Sequence, residues 1–193
     1  LSPDHFNLGE TVVSVAARDL STALGPLQSD RELAGTLERL PFVRKQSFFY
    51  REHGVQAILP FIAHHFPDAR ILVLCLKTAS DQRELDAIVD ALSPRLGDAD
   101  LIIQSTDFSH YLDATEAGRR DVETLAALQL TDPARVLGLS QPDHLDSRAA
   151  QYLQLRLQRE HFGASLQILA RANSQDYASE RITETTSYVV QGY

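Results

Sequence analysis

The chain has 193 residues, of which 44% are hydrophobic and 23% charged, an ordinary composition for a globular protein of about one domain. Its formal net charge of −8 argues against nucleic acid and anionic membrane as partners, because both attract basic surfaces. The sequence shows no apolar run approaching the length of a membrane span and no basic-then-apolar leader, so we expect neither a transmembrane helix nor a signal peptide.

The hydrophobic periodicity alternates between strand and helix patterns along the chain. In chain order it predicts a strand over 11–17, a turn-rich link over 21–30, a helix over 29–40, a strand over 42–50, a short or kinked helix over 54–66, a strand over 70–77, a helix over 80–96, a strand over 100–105, helices over 114–129 and 147–160, and strands over 165–173 and 187–193. This order is typical of an α/β sheet with helices on both faces. We therefore expect one domain over 1–193.

The runs 70–77 and 100–105 are almost continuously apolar, which is typical of strands buried on both faces of a parallel sheet. The pattern 80–96 between them is long enough for a crossover helix, and Ser80 is its predicted N-cap. Ser29 is the predicted N-cap of the earlier helix. The apolar stripe of the crossover helix consists of Leu85, Ile88, Val89 and Leu92.

The single cysteine, Cys75, lies inside the apolar run 70–77. A lone cysteine cannot form an internal disulfide, so we expect a buried structural thiol and a reducing compartment, the cytoplasm.

The stretch "STDFSHYL", residues 105–112, places polar side chains directly after a predicted strand. Ligands of α/β sheets bind beyond the carboxyl ends of the strands, so this is where chemistry is usually done. Asp107 beside His110 suits general acid–base catalysis, because a carboxylate can fix the tautomer of an imidazole. The alternative is that Asp107 caps the following helix and His110 is a surface residue.

Two further segments carry histidine beside a polar residue. Glu52 and His53 precede the helix 54–66, where the alternative role of Glu52 is a first-turn carboxylate favoured by the helix dipole. His5 follows a turn and is a residue type that commonly ligates zinc, copper and iron, although a loop histidine without function is the alternative. No phosphate loop, GxSxG elbow or CxxC pattern occurs in the sequence, which argues against a Ser–His hydrolase.

Read in order, five segments of the chain resemble the MEMO family, which includes AmmeMemoRadiSam system protein B. They are "SPDHFN", "TALGPL", "EHGVQAILPFI", "STDFSHYL" and the final "SYVVQGY". The corresponding motifs of the family read "GPSH", "TPLG", "EHSIEVQLPFL" and "SSDFSHY". The resemblance extends from residue 2 to residue 193.

The resemblance implies a three-layer α/β/α domain with a mostly parallel central sheet, similar to the class III extradiol ring-cleavage dioxygenases, which use non-haem iron. It places a metal pocket at one end of the sheet. His5 falls on the metal-ligating histidine of "GPSH", and Asp146 takes the place of a cysteine that reaches the metal in many members. A further family histidine, in "PHAGY", precedes "GPSH", so we expect several tens more residues before Leu1, with a strand and a helix.

The resemblance thus implies a MEMO-like metalloprotein in which His5 and Asp146 hold iron or copper and His53, Asp107 and His110 are catalytic. The imidazoles of His5, His53 and His110 should face one cavity. This protein would be a dioxygenase-like or other metal-dependent oxidoreductase whose substrate is a small molecule or peptide. The alternative is a non-catalytic binding module that recognises a peptide or a protein partner. Other AmmeMemoRadiSam proteins are expected partners.

Overall fold

The structure, a computed structural model, describes residues 1–130 and 132–193. It divides into two compact units: unit one contains residues 1–105 and unit two contains residues 106–193. Both units combine helices and strands, which confirms a mixed α/β structure. The single domain over 1–193 and the three-layer arrangement stay predictions.

Unit one contains seven strands and four α-helices. The strands are β1 (Ser2–Pro3), β2 (Val13–Ala16), β3 (Leu20–Thr22), β4 (Gly25–Ser29), β5 (Val43–Gln46), β6 (Arg70–Ile71) and β7 (Leu74–Leu76). The helices are α1 (Arg31–Leu37), α2 (His53–Gln56), α3 (Leu59–His65) and α4 (Gln82–Leu92), with 3₁₀ helices over Phe48–Arg51 and Ser93–Arg95.

The strands of unit one form two mixed sheets, with the orders β1-β7-β2-β5 and β3-β4-β6. In the first sheet β1 pairs with β7 and β2 with β5 in parallel, whereas β2 pairs with β7 antiparallel. In the second sheet β3 and β4 form an antiparallel hairpin, and β4 pairs with β6 in parallel. The predicted strand 70–77 is therefore two short strands in different sheets, and the hairpin lies where the sequence predicted a turn-rich link.

The prediction of a buried strand over 100–105 is wrong. The structure assigns no strand there, its residues are half-buried or exposed, and the side chain of Leu101 is 64% exposed. The segment does run beside β1, because Leu1 N donates to Ile103 O (2.7 Å) and Ser105 N donates to Leu1 O (2.8 Å), which is the parallel hydrogen-bond pattern. These two hydrogen bonds do not make 100–105 a strand in the structure.

The N-caps of α1 and α4 each lie one residue after the predicted cap. Asp30 caps α1 in place of Ser29, and Asp81 caps α4 in place of Ser80. An aspartate accepts the first N–H groups of a helix at least as well as a serine does. Asp81 also forms a reciprocal capping box with Glu84. The predicted apolar stripe of α4 is confirmed, since all four of its residues are buried: Leu85, Ile88, Val89 and Leu92.

Unit two contains a three-stranded antiparallel sheet and two α-helices among its described residues. The strands are β8 (His110–Leu112), β9 (Gln167–Asn173) and β10 (Thr185–Gly192), in the order β8-β10-β9. The helices are α5 (Ala114–Gln129) and α6 (Arg148–Arg156), followed by a π-helix over Leu157–His161, with 3₁₀ helices over Pro133–Gly138 and Ser174–Tyr177. Asp113 caps α5, so the alternative that Asp107 caps this helix is wrong.

Each unit has a hydrophobic cluster that supports the segments described below. The cluster of unit one comprises Ala16, Leu27, Phe48, Phe49, Val55, Leu59 and Cys75. The cluster of unit two comprises Phe108, Leu128, Val136, Leu145 and Leu155. The buried thiol predicted for Cys75 is confirmed, and burial raises the pKa of this thiol well above its usual range. None of the helices within the described residues combines the length and the hydrophobicity that crossing a bilayer requires.

Candidate functional site

His5 lies in a tight loop that follows β1. Asp4 N donates to Leu76 O (2.9 Å), which continues the pairing of β1 with β7 by one residue. The carboxylate of Asp4 then accepts the backbone N–H groups of Leu8 and Gly9, at 2.9 and 2.8 Å. These bonds close the loop and fix the main chain that carries His5.

Glu52 is the N-cap of α2, and its side chain is fully buried. Its carboxylate accepts three hydrogen bonds: from His5 N to Oε2 (3.0 Å), from Gly54 N to Oε1 (3.1 Å) and from His5 Nδ1 to Oε1 (2.5 Å). Burial acts to raise the pKa of Glu52, but the hydrogen bonds from His5 and Gly54 outweigh it, so this pKa is lowered from its ordinary value. The carboxylate is therefore ionised at neutral pH.

This ionised carboxylate fixes the tautomer of His5. A carboxylate only accepts hydrogen bonds, so His5 Nδ1 carries the proton and Nε2 has the lone pair of the neutral ring. Histidines that bind metals are usually held in this way through their other ring nitrogen. His53 lies alongside, with its ring centroid 3.8 Å from that of His5. Ligand atoms of His5, Glu52 and His53 all lie within 4.8 Å of one another.

Backbone pairing brings Asp107 and Asp146 together in unit two. Phe108 and Leu145 form an isolated antiparallel bridge, and both side chains are buried in the hydrophobic cluster of this unit. Asp146 N also donates to Asp107 O (3.1 Å). Two chain segments far apart in sequence are thereby aligned residue against residue, with an aspartate on each beside the bridge.

His110 joins these two aspartates. Its Nδ1 lies 2.7 Å from Phe108 O, and because a carbonyl only accepts, Nδ1 carries the proton and Nε2 has the lone pair. His110 Nε2 lies 3.6 Å from Asp107 Oδ2, and the two side chains are 15% and 43% exposed. Ligand atoms of Asp107, His110 and Asp146 lie within 4.8 Å of one another. Such a group can share a proton or coordinate a divalent metal ion.

A buried polar network fixes the residue before His110. Ser109 Oγ donates to Asp121 Oδ1 (2.8 Å) and lies 3.0 Å from Ser187 Oγ, to which Asn173 Nδ2 also donates (3.0 Å). Arg171 Nη2 lies 3.5 Å from the other carboxylate oxygen of Asp121. The network holds β8 in place. Sequence reasoning missed it because the partners of Ser109 are 12 and 78 residues away along the chain.

His144, close to Asp146 in sequence, has a structural role. Ser140 N donates to His144 Nδ1 (3.2 Å), so Nε2 carries the proton and donates to Glu123 Oε2 (3.0 Å). That hydrogen bond lowers the pKa of Glu123. Both ring nitrogens of His144 are thus engaged in the fold.

The structure brings together two subsets of the predicted site residues. In unit one it places His53 against His5, and in unit two it brings ligand atoms of His110, Asp107 and Asp146 within 4.8 Å of one another. That the three histidines face one cavity, and that Asp146 shares a metal with His5, stay predictions.

Comparison with known proteins gives a consistent result. The sequence model of the family described as Memo-like protein matches residues 1–190. A MEMO1 family protein of Pyrobaculum aerophilum is 29% identical over 145 residues, which are 72% of this chain and 51% of the relative. One of Methanosarcina barkeri is 33% identical over 130 residues, 65% of this chain and 48% of the relative. The chain spans about half the length of these curated relatives.

Proposed function

This chain belongs to the Memo-like protein family, and from that premise we propose that it is a metal-dependent oxidoreductase. Its proposed metal is non-haem iron or copper. His5, through Nε2, and Asp146 are the proposed metal ligands. His53, Asp107 and His110 are the proposed catalytic residues. We further propose the three-layer, extradiol-dioxygenase-like arrangement and a small molecule or peptide as substrate.

The observation that carries this proposal is the hydrogen bond of His5 to Glu52. A fully buried carboxylate costs free energy to maintain unless it is hydrogen-bonded, and here all three donors belong to the His5 loop or to the start of α2. The result is a single fixed tautomer of His5 with its lone pair on Nε2. A surface histidine without function needs no such support.

The donor set of these residues fits the proposed metals. Imidazole nitrogen suits iron and copper. In non-haem iron proteins a carboxylate oxygen commonly completes a set of two histidines and one carboxylate. When bound, such a metal supplies one-electron redox chemistry and polarises an oxygen-containing substrate. The chain's own contribution is to hold the imidazoles in one orientation and to exclude other tautomers.

The role of His110 follows from its two neighbours. Because Nδ1 is engaged by the carbonyl of Phe108, any proton exchanged with a substrate moves at Nε2. Asp107 lies on that same side of the ring, at 3.6 Å, and stabilises the imidazolium once the proton has been taken up. The partly exposed carboxylate of Asp107 keeps this pair in contact with solvent.

Metal analysis of purified variants tests the proposal. The protein is incubated with Fe²⁺ without oxygen or with Cu²⁺, freed of unbound metal, and its metal content is measured by mass spectrometry. His5→Ala and Asp146→Ala should each lower the bound metal, whereas His110→Ala should retain it. His64→Ala is the matched control, since His64 is exposed on α3. Wild-type metal content in His5→Ala would overturn the assignment.

One observation favours the alternative of a binding module. Exposed aromatic rings lie beside both histidine clusters: Phe6 packs edge-on to His53 at 5.7 Å and is 54% exposed, and Tyr111 follows His110 and is 67% exposed. Exposed aromatic rings are typical anchors for a peptide or protein partner. A variant with Phe6→Ala and Tyr111→Ala that keeps its metal but loses a partner would favour this alternative.

A further inference from the structure

Gly54 lies at the closest approach between α2 and the loop that carries His5. A Cβ atom at this position would stand 2.5 Å from Ser2 Oγ, 3.3 Å from His5 Cε1 and 3.6 Å from Glu52 Oε1. The first distance is shorter than any ordinary contact between these atoms, and the second is tight. The space that a side chain at 54 would need is thus occupied by the hydroxyl of Ser2 and by the imidazole of His5.

We propose that Gly54 is a positioning residue for His5, and that positions 2 and 54 together have room for one hydroxymethyl side chain. This inference rests on the proposed role of His5 as a metal ligand. In this chain Ser2 supplies the hydroxymethyl group and Gly54 leaves the space for it. A side chain at 54 is compatible with the native position of His5 only if the side chain at 2 is removed.

The surroundings limit how a side chain at 54 can be accommodated. The main chain of Ser2 is held in β1, where it is paired with Cys75 of β7, and Ser2 is itself buried. The main chain at 54 is held by the hydrogen bond from Gly54 N to Glu52. His5 lies on a loop and is partly exposed, with 21% of its side chain accessible. Steric pressure at 54 therefore acts first on the Ser2 hydroxyl, at 2.5 Å, and through the tight contact of 3.3 Å also on the imidazole of His5.

Displacement of His5 has a direct chemical consequence. Cε1 lies between the two ring nitrogens, so a shift of this atom moves Nδ1 away from Glu52 and re-aims Nε2. Hydrogen bonds of this kind depend steeply on distance and angle. Loss of the partner at the other nitrogen typically weakens metal binding by about 10–100-fold.

A double-mutant cycle tests the proposal with Ser2→Gly, Gly54→Ser and the double variant S2G/G54S. The first readout is the proton resonance of His5 Nδ1–H in ¹⁵N-histidine-labelled protein kept in chelator, which the hydrogen bond to Glu52 shifts downfield. Glu52→Gln assigns this resonance. The second readout is the affinity for Fe²⁺. Gly35→Ser is the matched control, because Gly35 is also helical and an added Cβ there meets nothing within 4 Å.

G54S should lose the downfield resonance and bind Fe²⁺ about 10–100-fold more weakly. S2G/G54S should recover both, and G35S should keep both. The proposal is overturned if G54S retains the resonance, or if the double variant is no better than G54S. Should G54S fail to fold, the double variant decides alone, since it must fold and show the resonance. If the wild type binds no Fe²⁺, the proposed function fails while the resonance still tests the coupling.

Discussion

His5 in unit one and His110 in unit two are held through the same ring nitrogen by different kinds of partner. Nδ1 of His5 donates to the buried, ionised carboxylate of Glu52, at 2.5 Å. Nδ1 of His110 donates to a neutral main-chain carbonyl, that of Phe108, at 2.7 Å. In the neutral form of either ring the lone pair therefore lies on Nε2, but only His5 has a full negative charge beside its Nδ1.

The acidic residues beside these two histidines, Glu52 and Asp107, differ in how deeply they are buried. Glu52 is fully buried and its oxygens are engaged by N–H donors of the fold. Asp107 is less buried, with 43% of its side chain exposed. A charge held in the interior makes an imidazole a stronger metal ligand, whereas a charge in contact with solvent supports proton exchange. The comparison thus supports the proposed roles of His5 in metal binding and of His110 in proton transfer, and four predictions bear on the two units.

The largest expected effect is on stability. Glu52→Ala should lower the free energy of unfolding by roughly 2–5 kcal/mol, because the buried N–H of Gly54, the part-buried N–H of His5 and the imidazole of His5 lose their acceptor. Asp107→Ala should cost less than about 1 kcal/mol, as expected for a partly exposed charge. Urea denaturation followed by circular dichroism measures both. Equal losses in the two variants would remove the distinction between a buried and an exposed acid.

The next prediction concerns the contribution of Ser109 to the stability of unit two. Ser109→Ala should cost about 1.5–3 kcal/mol, because the buried carboxylate of Asp121 loses a hydrogen-bond donor. Ser179→Ala, at an exposed position, is the control and should change the stability by less than about 0.5 kcal/mol. The same denaturation experiment applies. A small cost at Ser109 would mean that β8 does not depend on this network.

The helices of the fold were largely predictable from the sequence, whereas the partners within the site were not. The helix predicted over 114–129 matches α5 because its apolar spacing is regular and an aspartate directly precedes it. The apolar run 100–105 indicated burial but not pairing, and it forms no strand. The hairpin of β3 and β4 was missed because Gly25 and Pro26 read as a link, although Gly25, with φ of 122°, is what allows the turn.

Glu52 shows the same limit within the site. Its position at the start of a helix was visible, and it is indeed the N-cap of α2. Its bond to His5 was not visible, because the two residues are 47 positions apart and meet only through the loop after β1. Resemblance to a family marked both residues, but only the structure shows which ring nitrogen is engaged. Local patterns therefore determine capping, whereas long-range contacts determine the tautomer.

Metal affinity gives the next prediction. Glu52→Gln preserves the size of the side chain but removes its charge, so affinity for Fe²⁺ should fall by about 10–100-fold. Asp107→Asn makes the matched change in unit two and should alter the affinity by less than about threefold, since Asp107 is assigned to proton transfer. Calorimetric titration without oxygen measures both. A larger loss in Asp107→Asn than in Glu52→Gln would reverse the two assignments.

The smallest expected effect concerns Glu116, a carboxylate whose pKa is lowered although it is not buried. The hydrogen bond from Arg119, with the charges of Arg119 and Arg120, lowers the pKa of Glu116 from 4.5 to about 2 on the accessible face of α5. Because this pKa is depressed in the folded state, its contribution to stability is complete above 4.5 and is lost as the pH falls from 4.5 towards 2. Glu116→Gln removes the contribution, so its urea midpoint should lie slightly below that of the wild type at neutral pH and approach it across this window. Added salt should shrink the difference, because exposed ion pairs are screened. Glu180→Gln, at another exposed glutamate, controls for the change in net charge. A difference that grows as the pH falls would have the wrong sign, and would mean that the pKa of Glu116 is raised in the folded protein.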